Sequence, residues 1–400
     1  MSKEEVVIVG AGVIGCSIAY HLARQGVPSQ VIESDSIAAR ASGKAWAVIP
    51  YPPIYLESRP SDNRLISVPV GSVSQWLELR WIGYHRFPDI ALDLQEKGGI
   101  DIEYGELPAI RLALSESDEK IAKEGLSFLK SQGYHEGHWI KGDDLRAIFP
   151  DINPLVRGGR VRPFLQVEPY KYTLGLAQAA EKMGANFRQG EVVGFRHEGS
   201  KLTAVILATG TEVKADVFVL ATGPWTGQVT SKLGKEMPTL VIRAQCVRVQ
   251  APKPFPPYLL STPYPTNLAI VPKVDGSVIL GFSSALDDPQ TSFDAPLTTE
   301  EGKTMLINGA IDLLPTLNEA ELIEQRGDFE CWSPPPNCTQ PVIGRLPEWD
   351  NAYIATRFGT IGITMSPGAG QVMADLIIGG DRPPHRFKAM IDYLSPARLQ

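Results

Sequence analysis

The chain has 400 residues, of which 43% are hydrophobic and 21% are charged. That composition excludes a disordered or fibrous protein, and the length predicts two domains, each with its own core. The formal net charge is −7 and Lys and Arg form no cluster, which argues against nucleic acid as a partner.

Cysteine usage and the start of the chain bear on location. The four cysteines are too few for a disulfide framework and include no CxxC pair. This favours a reducing compartment, and we predict a cytoplasmic protein. The polar start MSKEE runs into the first predicted strand, and no apolar run approaches the roughly 18 residues of a membrane span. We therefore expect no signal peptide and no transmembrane segment.

A stretch near the N-terminus reads VVIVGAGVIGCSIAYHLARQGVPSQVIESD. A β-branched run predicts a buried parallel strand, and apolar residues at helical spacing predict a helix after it. Gly10 allows the turn between them, Gly12 leaves room for a pyrophosphate, and Gly15 allows close helix packing. Glu33 ends the next strand, where a carboxylate can accept hydrogen bonds from an adenosine ribose. The pattern predicts a site for NAD or FAD and leaves the two open.

Later segments favour FAD over NAD. After the acidic residue the chain enters a small-residue turn and a Pro- and Tyr-rich stretch instead of another regular βαβ unit, which argues against a compact nicotinamide domain. Residues 191–227 predict short strands and then a buried strand that ends at Ala221, Thr222 and Gly223. Residues 351–380 predict a strand, a glycine-rich bend and a helix.

At these three places the chain resembles the D-amino acid oxidase (DAO) family of FAD-dependent oxidoreductases, which includes glycine oxidase, sarcosine oxidase and the D-amino acid dehydrogenases. The resemblance covers roughly residues 5–50, 165–230 and 330–385. It implies FAD as the cofactor. It also implies an α/β fold, with a Rossmann-like FAD-binding domain interleaved with an α+β substrate domain built on an antiparallel sheet.

The same resemblance implies domains that are discontinuous in sequence. Residues 1–80, 145–232 and 332–400 would form the FAD-binding domain, and residues 81–144 and 233–331 the substrate domain. The sequence of the second domain agrees with an antiparallel sheet, because an Asp-Gly hairpin signal lies between the β-rich runs LAIVPKV and SVILGF.

The resemblance also implies which residues hold FAD. The glycine turn and the acid would hold the ADP half, and the ASGK turn would lie along the pyrophosphate and the flavin. A helix N-terminus near Ser366 to Gly370 would place its positive dipole against an electron-rich reduced flavin. The predicted FAD contacts are Gly10, Gly12, Val13, Ile14, Gly15, Glu33, Ser34, Ser42, Gly43, Lys44, Val192, Ala221, Thr222, Gly223, Trp225, Gly359, Thr360, Ile361, Gly362, Ile363 and Thr364.

Members of the family remove a hydride from the carbon next to an amine, and the flavin does the redox work. We therefore predict an FAD-dependent oxidoreductase that oxidises the C–N bond of a small amine or amino acid, with dioxygen or another carrier as electron acceptor. Two alternatives stay open: an FAD-dependent 2-hydroxy acid dehydrogenase, and a non-catalytic flavin-binding subunit of a dehydrogenase complex. The histidines are scattered, and we predict no metal site. The oligomeric state is left open.

The sequence lacks the usual substrate anchor of the family. Relatives that act on amino acids present an Arg to the carboxylate, because its planar fork binds two oxygens at once. In the corresponding stretch, CWSPPPNCTQPVIG, Ser333 stands in place of that Arg and Cys338 in place of an Asp. Arg357, close to the flavin loop, is our first candidate for the anchor and Arg243 the second. Lys44, beside the predicted flavin, is the third candidate for the anchor.

Cys331 matches a position at which some members of the family attach the flavin through a cysteine thioether. We predict noncovalent FAD and keep attachment at Cys331 as the alternative, because a plain buried Cys acts only as a small hydrophobe. Four aromatic residues are candidates for a substrate pocket, although isolated aromatic side chains more often belong to a core: Trp46, Tyr51, Tyr258 and Tyr264.

Overall fold

The computed structural model describes residues 5–51, 76–131, 133–263, 266–282, 289–290, 292–334, 341–380 and 388–399. The helices in these segments are α1 (Val13–Arg24), α2 (Ala41–Lys44), α3 (Trp76–Asp93), α4 (Glu116–Ser131), α5 (Gly142–Ile148), α6 (Pro169–Lys182), α7 (Thr226–Ser231), α8 (Glu300–Leu313), α9 (Gly362–Gly379) and α10 (Lys388–Leu394).

The strands of the described segments fall into four sheets. In chain order they are β1 (Val6–Val9), β2 (Ser29–Glu33), β3 (Val48–Pro50), β4 (Gly105–Glu106), β5 (Ala109–Ala113), β6 (His138–Lys141), β7 (Gly158–Arg162), β8 (Phe164–Gln166), β9 (Asn186–Gln189), β10 (Val192–Glu198), β11 (Lys201–Leu207), β12 (Glu212–Lys214), β13 (Val217–Leu220), β14 (Leu240–Gln250), β15 (Leu259–Ser261), β16 (Leu268–Pro272), β17 (Ser277–Phe282), β18 (Pro289–Gln290), β19 (Glu321–Trp332), β20 (Val342–Arg345) and β21 (Ala352–Thr356).

The first sheet is the Rossmann-like half of the molecule. Its order is β20–β21–β13–β1–β2–β9, and the pairings are parallel except for the edge strand β20. β1 is buried along its whole length, as its β-branched sequence predicts for a parallel strand covered on both faces. Helices α1 and α9 pack together on one side, where the Ser17 hydroxyl donates to the carbonyl of Ser366 at 2.7 Å.

The largest sheet is almost entirely antiparallel. Its order is β18–β14–β17–β16–β15–β5–β7–β6, with β19 paired to β14. The predicted hairpin is present: residues 273–276, which include the Asp-Gly pair, connect β16 to β17, so the connection is longer than the two residues of the signal. The predicted α/β fold, with a Rossmann-like sheet beside an antiparallel sheet, is confirmed.

The two faces of the antiparallel sheet have different partners. Side chains such as Val247 and Leu280 share a core with Leu306 of α8. The alternate residues, such as Cys246 and Ala269, form a second core with Trp46 from the Rossmann-like half. Because side chains alternate between faces along each strand, the second face of the sheet lies against the predicted cofactor-binding segments.

One predicted domain boundary needs to move. Leu145 and Phe149 pack in the core beneath the antiparallel sheet, and β7 pairs with β5 within that sheet. We therefore propose that residues 145–162 belong with the substrate half and not with the FAD-binding domain, where the sequence placed them, because nothing local in the sequence reveals which strand β7 pairs with. With the boundary placed after Arg162, the interleaved division remains our proposal.

Helix α9 begins at Gly362, which corrects the predicted start near Ser366 to Gly370. Pro367 lies inside the helix and cannot donate to the carbonyl of Ile363. The Ser366 hydroxyl donates to that carbonyl instead, at 2.8 Å, so the helix continues through the proline.

The stretch Gly359–Gly379 is long and apolar enough to cross a membrane, but 72% of its most apolar 18 residues, whose mean hydropathy is 1.2, are buried within the protein. It packs against α1 and α3 as a core helix. Its length and composition are therefore weak evidence for a membrane span.

Candidate active site

The glycine-rich turn after β1 has the geometry of a pyrophosphate cradle. Gly10 has φ of +106°, which favours glycine, and a side chain at Gly15 would overlap the carbonyl of Gly10. A Cβ atom at Gly12 would approach only Ser42 Oγ, at 3.1 Å, so the rest of its surroundings are open. The N-terminus of α1, which carries no acidic residue in its first turn, faces this opening.

Glu33 is held in a fixed position at the end of β2. One carboxylate oxygen accepts from the Ala11 amide at 2.7 Å, and the other accepts from the Asp35 amide at 2.9 Å and the Ser34 hydroxyl at 3.1 Å. The Gly190 amide donates to the Glu33 carbonyl at 2.7 Å, which brings the chain leading to Val192 beside β2. This arrangement suits a carboxylate that binds a ribose.

The predicted flavin turn forms α2 and connects the two halves of the molecule. Ser42 Oγ accepts from the Val13 amide at 2.9 Å. Lys44 forms an ion pair with the buried Asp328 of β19, with 2.8 Å between Nζ and Oδ2. The positive charge of Lys44 is therefore compensated by the protein itself.

Two further predicted segments meet at the same edge of the parallel sheet. A Cβ atom at Gly10 would collide with the carbonyl of Ala221, so the end of β13 lies directly beside the glycine turn. The next turn ends in Trp225, which stacks on Phe293 at 5.1 Å between ring centroids and lies under the Arg40 guanidinium. The 3-10 turn Gly359–Ile361 then leads into α9, whose first turn contains no acidic residue.

These features fit FAD. The carboxyl ends of parallel strands meet at one edge, where such folds bind dinucleotides, and the glycine cradle, Glu33 and the positive end of α9 all lie there. The glycine cradle suits the pyrophosphate, the carboxylate suits the ribose, and the segments around α2 and α9 suit the flavin.

A cavity lies between these segments and the antiparallel sheet. Its wall includes residues of α2, of the turn before α9 and of six strands of the sheet. Cationic side chains outnumber acidic ones among the described residues that line it. The cations are Lys44, Arg80, Arg111, Arg160, Arg162 and Arg326, and the acids are Asp328 and Glu330.

Glu330 is a carboxyl group in this cavity with a strongly raised pKa. Burial raises the pKa of its carboxyl to about 7, although a hydrogen bond from Trp332 Nε1, 3.0 Å from Oε2, opposes the rise. No cation in the described part of the chain forms an ion pair with it. Glu330 is not among the residues predicted from the sequence, and its alternation with Asp328 along β19 was the one signal that could have indicated it.

The predicted anchors Arg357 and Arg243 do not line the cavity. Arg357 is 3% exposed, has φ of +64°, and donates to the carbonyl of Pro238. Arg243 donates from Nη1 to the carbonyl of Pro296 at 2.8 Å. Proximity in sequence to the flavin loop was a poor guide for Arg357, because its side chain is directed to a different part of the structure.

Cys331 points away from the cavity. Asp328 and Glu330 face the cavity, whereas the thiol of Cys331 lies 3.4 Å from the Thr356 hydroxyl. Burial raises the pKa of the thiol above its ordinary value, which disfavours the reactive thiolate.

Only one of the four aromatic candidates is seen in the cavity wall of the described structure. That residue is Trp46, whose ring occupies the space that a side chain at Gly281 would need. Tyr258 packs against the opposite face of the sheet, and the Tyr51 hydroxyl donates to Glu136 at 3.2 Å. Tyr264 lies outside the described residues, as does Cys338.

Comparisons with known proteins bear on the family and the fold of the chain. Residues 5–376 match the DAO family model, described as FAD dependent oxidoreductase. Glycine oxidase of Bacillus licheniformis is 26% identical over 382 residues, which cover 94% of each protein. The structure of glycine oxidase from Bacillus cereus ATCC 14579 has a TM-score of 0.82 with 26% identity and covers 100% of both chains. L-α-Glycerophosphate oxidase from Mycoplasma pneumoniae with FAD bound is alike in fold alone, with a TM-score of 0.71, 16% identity and coverage of 94% of this chain and 95% of that one.

Proposed function

Because the chain belongs to the DAO family of FAD-dependent oxidoreductases, we propose that it oxidises the C–N bond of a small amine or amino acid, with FAD bound noncovalently. When bound, FAD supplies the hydride acceptor. The residues that would hold it are those of the glycine turn, Glu33, α2, and the segments that begin at Ala221 and Gly359.

The observation that carries this proposal is the position of Glu330. Its carboxyl group faces a cavity that also borders α2 and the start of α9, and its pKa is raised to about 7. A substrate ammonium must lose a proton before the adjacent carbon can release a hydride. Glu330 is suited to attract the ammonium as a carboxylate and to accept that proton, because a base works best when its pKa lies near the working pH.

The electron acceptor and the cellular location are proposed on other grounds. Dioxygen or another carrier would accept the electrons, as the resemblance to oxidases and dehydrogenases implies. A cytoplasmic location is proposed from cysteine usage, and Cys16, Cys246 and Cys331 are free and buried.

A paired substrate screen tests the reaction. Each amine or amino acid is mixed anaerobically with the holoprotein and compared with the 2-hydroxy acid of the same carbon skeleton, while the flavin absorption band is followed. We expect bleaching by amines and not by the hydroxy acids. Bleaching by hydroxy acids alone would replace the proposal with a 2-hydroxy acid dehydrogenase. If light bleaches the flavin but no substrate in the panel does, the result would favour a non-catalytic flavin-binding subunit.

A second prediction concerns flavin attachment. Acid precipitation of the holoprotein is expected to leave the yellow colour in the supernatant, because Cys331 points away from the cavity and its burial disfavours the thiolate. Cys331→Ser should retain the same flavin content as the unaltered protein. Colour that stays with the precipitate and is lost in Cys331→Ser would instead establish a covalent bond at this residue.

A further inference from the structure

The carboxyl group of Glu330 is held in the cavity wall by one side chain. Trp332 lies two residues further along β19, so its side chain projects to the same face of the sheet. Its indole Nε1 donates to Oε2 of Glu330 at 3.0 Å, and no other hydrogen bond to this carboxyl group is present in the described structure. Oε1 is therefore the oxygen that remains for a substrate ammonium.

The indole ring of Trp332 is itself fixed by the turn that leads into α9. The ring lies directly over Gly359, because a Cβ atom built on that glycine would lie 3.1 Å from Cδ2, Cε2 and Cε3 of the indole. Gly359 begins the 3-10 turn Gly359–Ile361, and the rest of that turn lines the cavity together with Glu330. Trp332 is 7% exposed, so its closely packed ring has little freedom to move.

The charges around Glu330 supply no second means of holding it. Burial and the hydrogen bond from Trp332 are the two influences on the pKa of its carboxyl. Across the sheet, Glu330 is paired with the apolar Ile242 of β14, and the turn before α9 presents Gly, Thr and Ile residues. Asp328, the preceding residue on the same face of β19, is already paired with Lys44 of α2 at 2.8 Å. The indole N–H is thus the one contact in the described structure that favours the charged form of Glu330.

We propose that Trp332 is a positioning residue for Glu330. Its N–H holds one carboxylate oxygen, and its ring, seated against Gly359, sets the position of that carboxylate relative to the turn where the flavin would lie. The role in catalysis rests on the proposed C–N oxidation, in which Glu330 accepts the proton of the substrate ammonium. Because a hydrogen bond donated to a carboxylate favours its charged form, Trp332 also keeps Glu330 ionised at a lower pH than burial alone would allow.

Trp332→Phe tests the proposal, because it keeps an aromatic ring beside Gly359 and removes the N–H. The anaerobic rate of flavin reduction is measured from pH 5 to pH 10 with the best amine of the substrate screen. We expect the midpoint of its rise with pH to move upward by about one to two pH units, which corresponds to a lost hydrogen bond to a charged group. At pH 7 reduction should be about 5- to 50-fold slower than in the unaltered protein, since less of Glu330 is ionised.

A double-mutant cycle separates this role from general support of the fold. In the Glu330→Gln background, Trp332→Phe should change the reduction rate little at any pH, because the group that Trp332 holds has been removed. A purely structural role predicts instead that Trp332→Phe slows reduction by the same factor in both backgrounds and leaves the midpoint in place. That result would overturn the proposal.

Trp349→Phe is the matched control. Trp349 is a buried indole, 9% exposed, in the core of the Rossmann-like half, and it does not line the cavity. Its replacement removes the same atoms and should leave the midpoint unchanged.

Gly359→Ala is a second variant, for the case that Trp332→Phe does not fold. Its methyl group would press on the indole ring from the side opposite the cavity-lining carboxylate's strand, and the midpoint should again move upward. An unchanged midpoint in Gly359→Ala with full flavin content would count against the proposal.

Thermal stability distinguishes a failed contact from a failed reaction. Because the pKa of Glu330 is raised on folding, the free energy of unfolding falls as the pH rises from about 4.5 to the pKa of the folded state. In Trp332→Phe that fall should continue to a higher pH, and the difference should vanish in the Glu330→Gln background. If no amine bleaches the flavin but this difference is seen, Trp332 holds Glu330 and the proposed reaction fails. If amines bleach the flavin and neither profile moves, C–N oxidation stands and Trp332 has no positioning role.

Discussion

Glu330→Gln is expected to slow flavin reduction by an amine substrate about 10²- to 10⁴-fold at pH 8, the usual contribution of a general base. The glutamine keeps the size of the side chain and removes its ability to accept a proton. Because the pKa of Glu330 is raised to about 7, reduction by the unaltered protein should accelerate as the pH rises through about 7. The variant should lose that rise. The measurement is the anaerobic reduction rate in a stopped-flow instrument from pH 5 to pH 9.

Stability gives a readout of Glu330 that does not depend on turnover. The folded state holds the proton of Glu330 more tightly than the unfolded state does, since the pKa rises from 4.5 to about 7 on folding. The free energy of unfolding therefore falls as the pH rises from about 4.5 to about 7. Glu330→Gln is neutral throughout, so its Tm relative to the unaltered protein should be higher at pH 8 than at pH 4.

The matched control is Glu321→Gln, which changes an exposed carboxylate at the other end of β19. It should leave both the rate and its pH profile intact. If Glu330→Gln behaves like this control, Glu330 takes no part in proton transfer.

Gly12→Val is expected to yield folded protein that purifies without FAD. The pyrophosphate requires close approach to the backbone at this turn, and a valine would fill that space. A Cβ atom at Gly12 already comes within 3.1 Å of Ser42 Oγ, so the branched side chain would also disturb the hydrogen bond between Ser42 and the Val13 amide. The flavin-to-protein absorbance ratio and mass spectrometry of the extracted cofactor measure the effect.

Gly379→Val provides a glycine control. Gly379 is the last residue of α9, and a Cβ atom there would meet nothing within 4 Å. This variant should retain FAD. Full FAD occupancy in Gly12→Val would show that the cradle does not hold the pyrophosphate, and extraction of FMN from the unaltered protein would show that the ADP half has no role.

Several features of the fold were predictable because they depend on residues that are close in sequence. The strand, glycine turn and helix from Val6 to Arg24 follow from side-chain size and periodicity over a short stretch. The hairpin between β16 and β17 follows from its turn residues. The start of α9 was missed because Ser366 compensates for Pro367 by a hydrogen bond that only the folded helix reveals.

The placement of charged side chains was much harder to predict. Arg357 lies near the flavin loop in sequence, yet its guanidinium group donates to Pro238. Glu330 was missed because its pKa depends on burial, which exists only in the folded protein. A side chain on a strand faces one side of the sheet or the other. A shift of the pairing register by one residue moves it to the opposite face.

By itself, the sequence determined the family, the cofactor and the local geometry of the nucleotide cradle, because a turn such as Gly10 to Gly15 carries its constraints in consecutive residues. Only the tertiary structure decided which cations reach the cavity. Arg111 and Arg160 lie far apart in sequence and become neighbours through the pairing of β5 with β7. Strand register is a long-range property, since it is set by the packing of a whole sheet against its neighbours and not by the residues that it brings together.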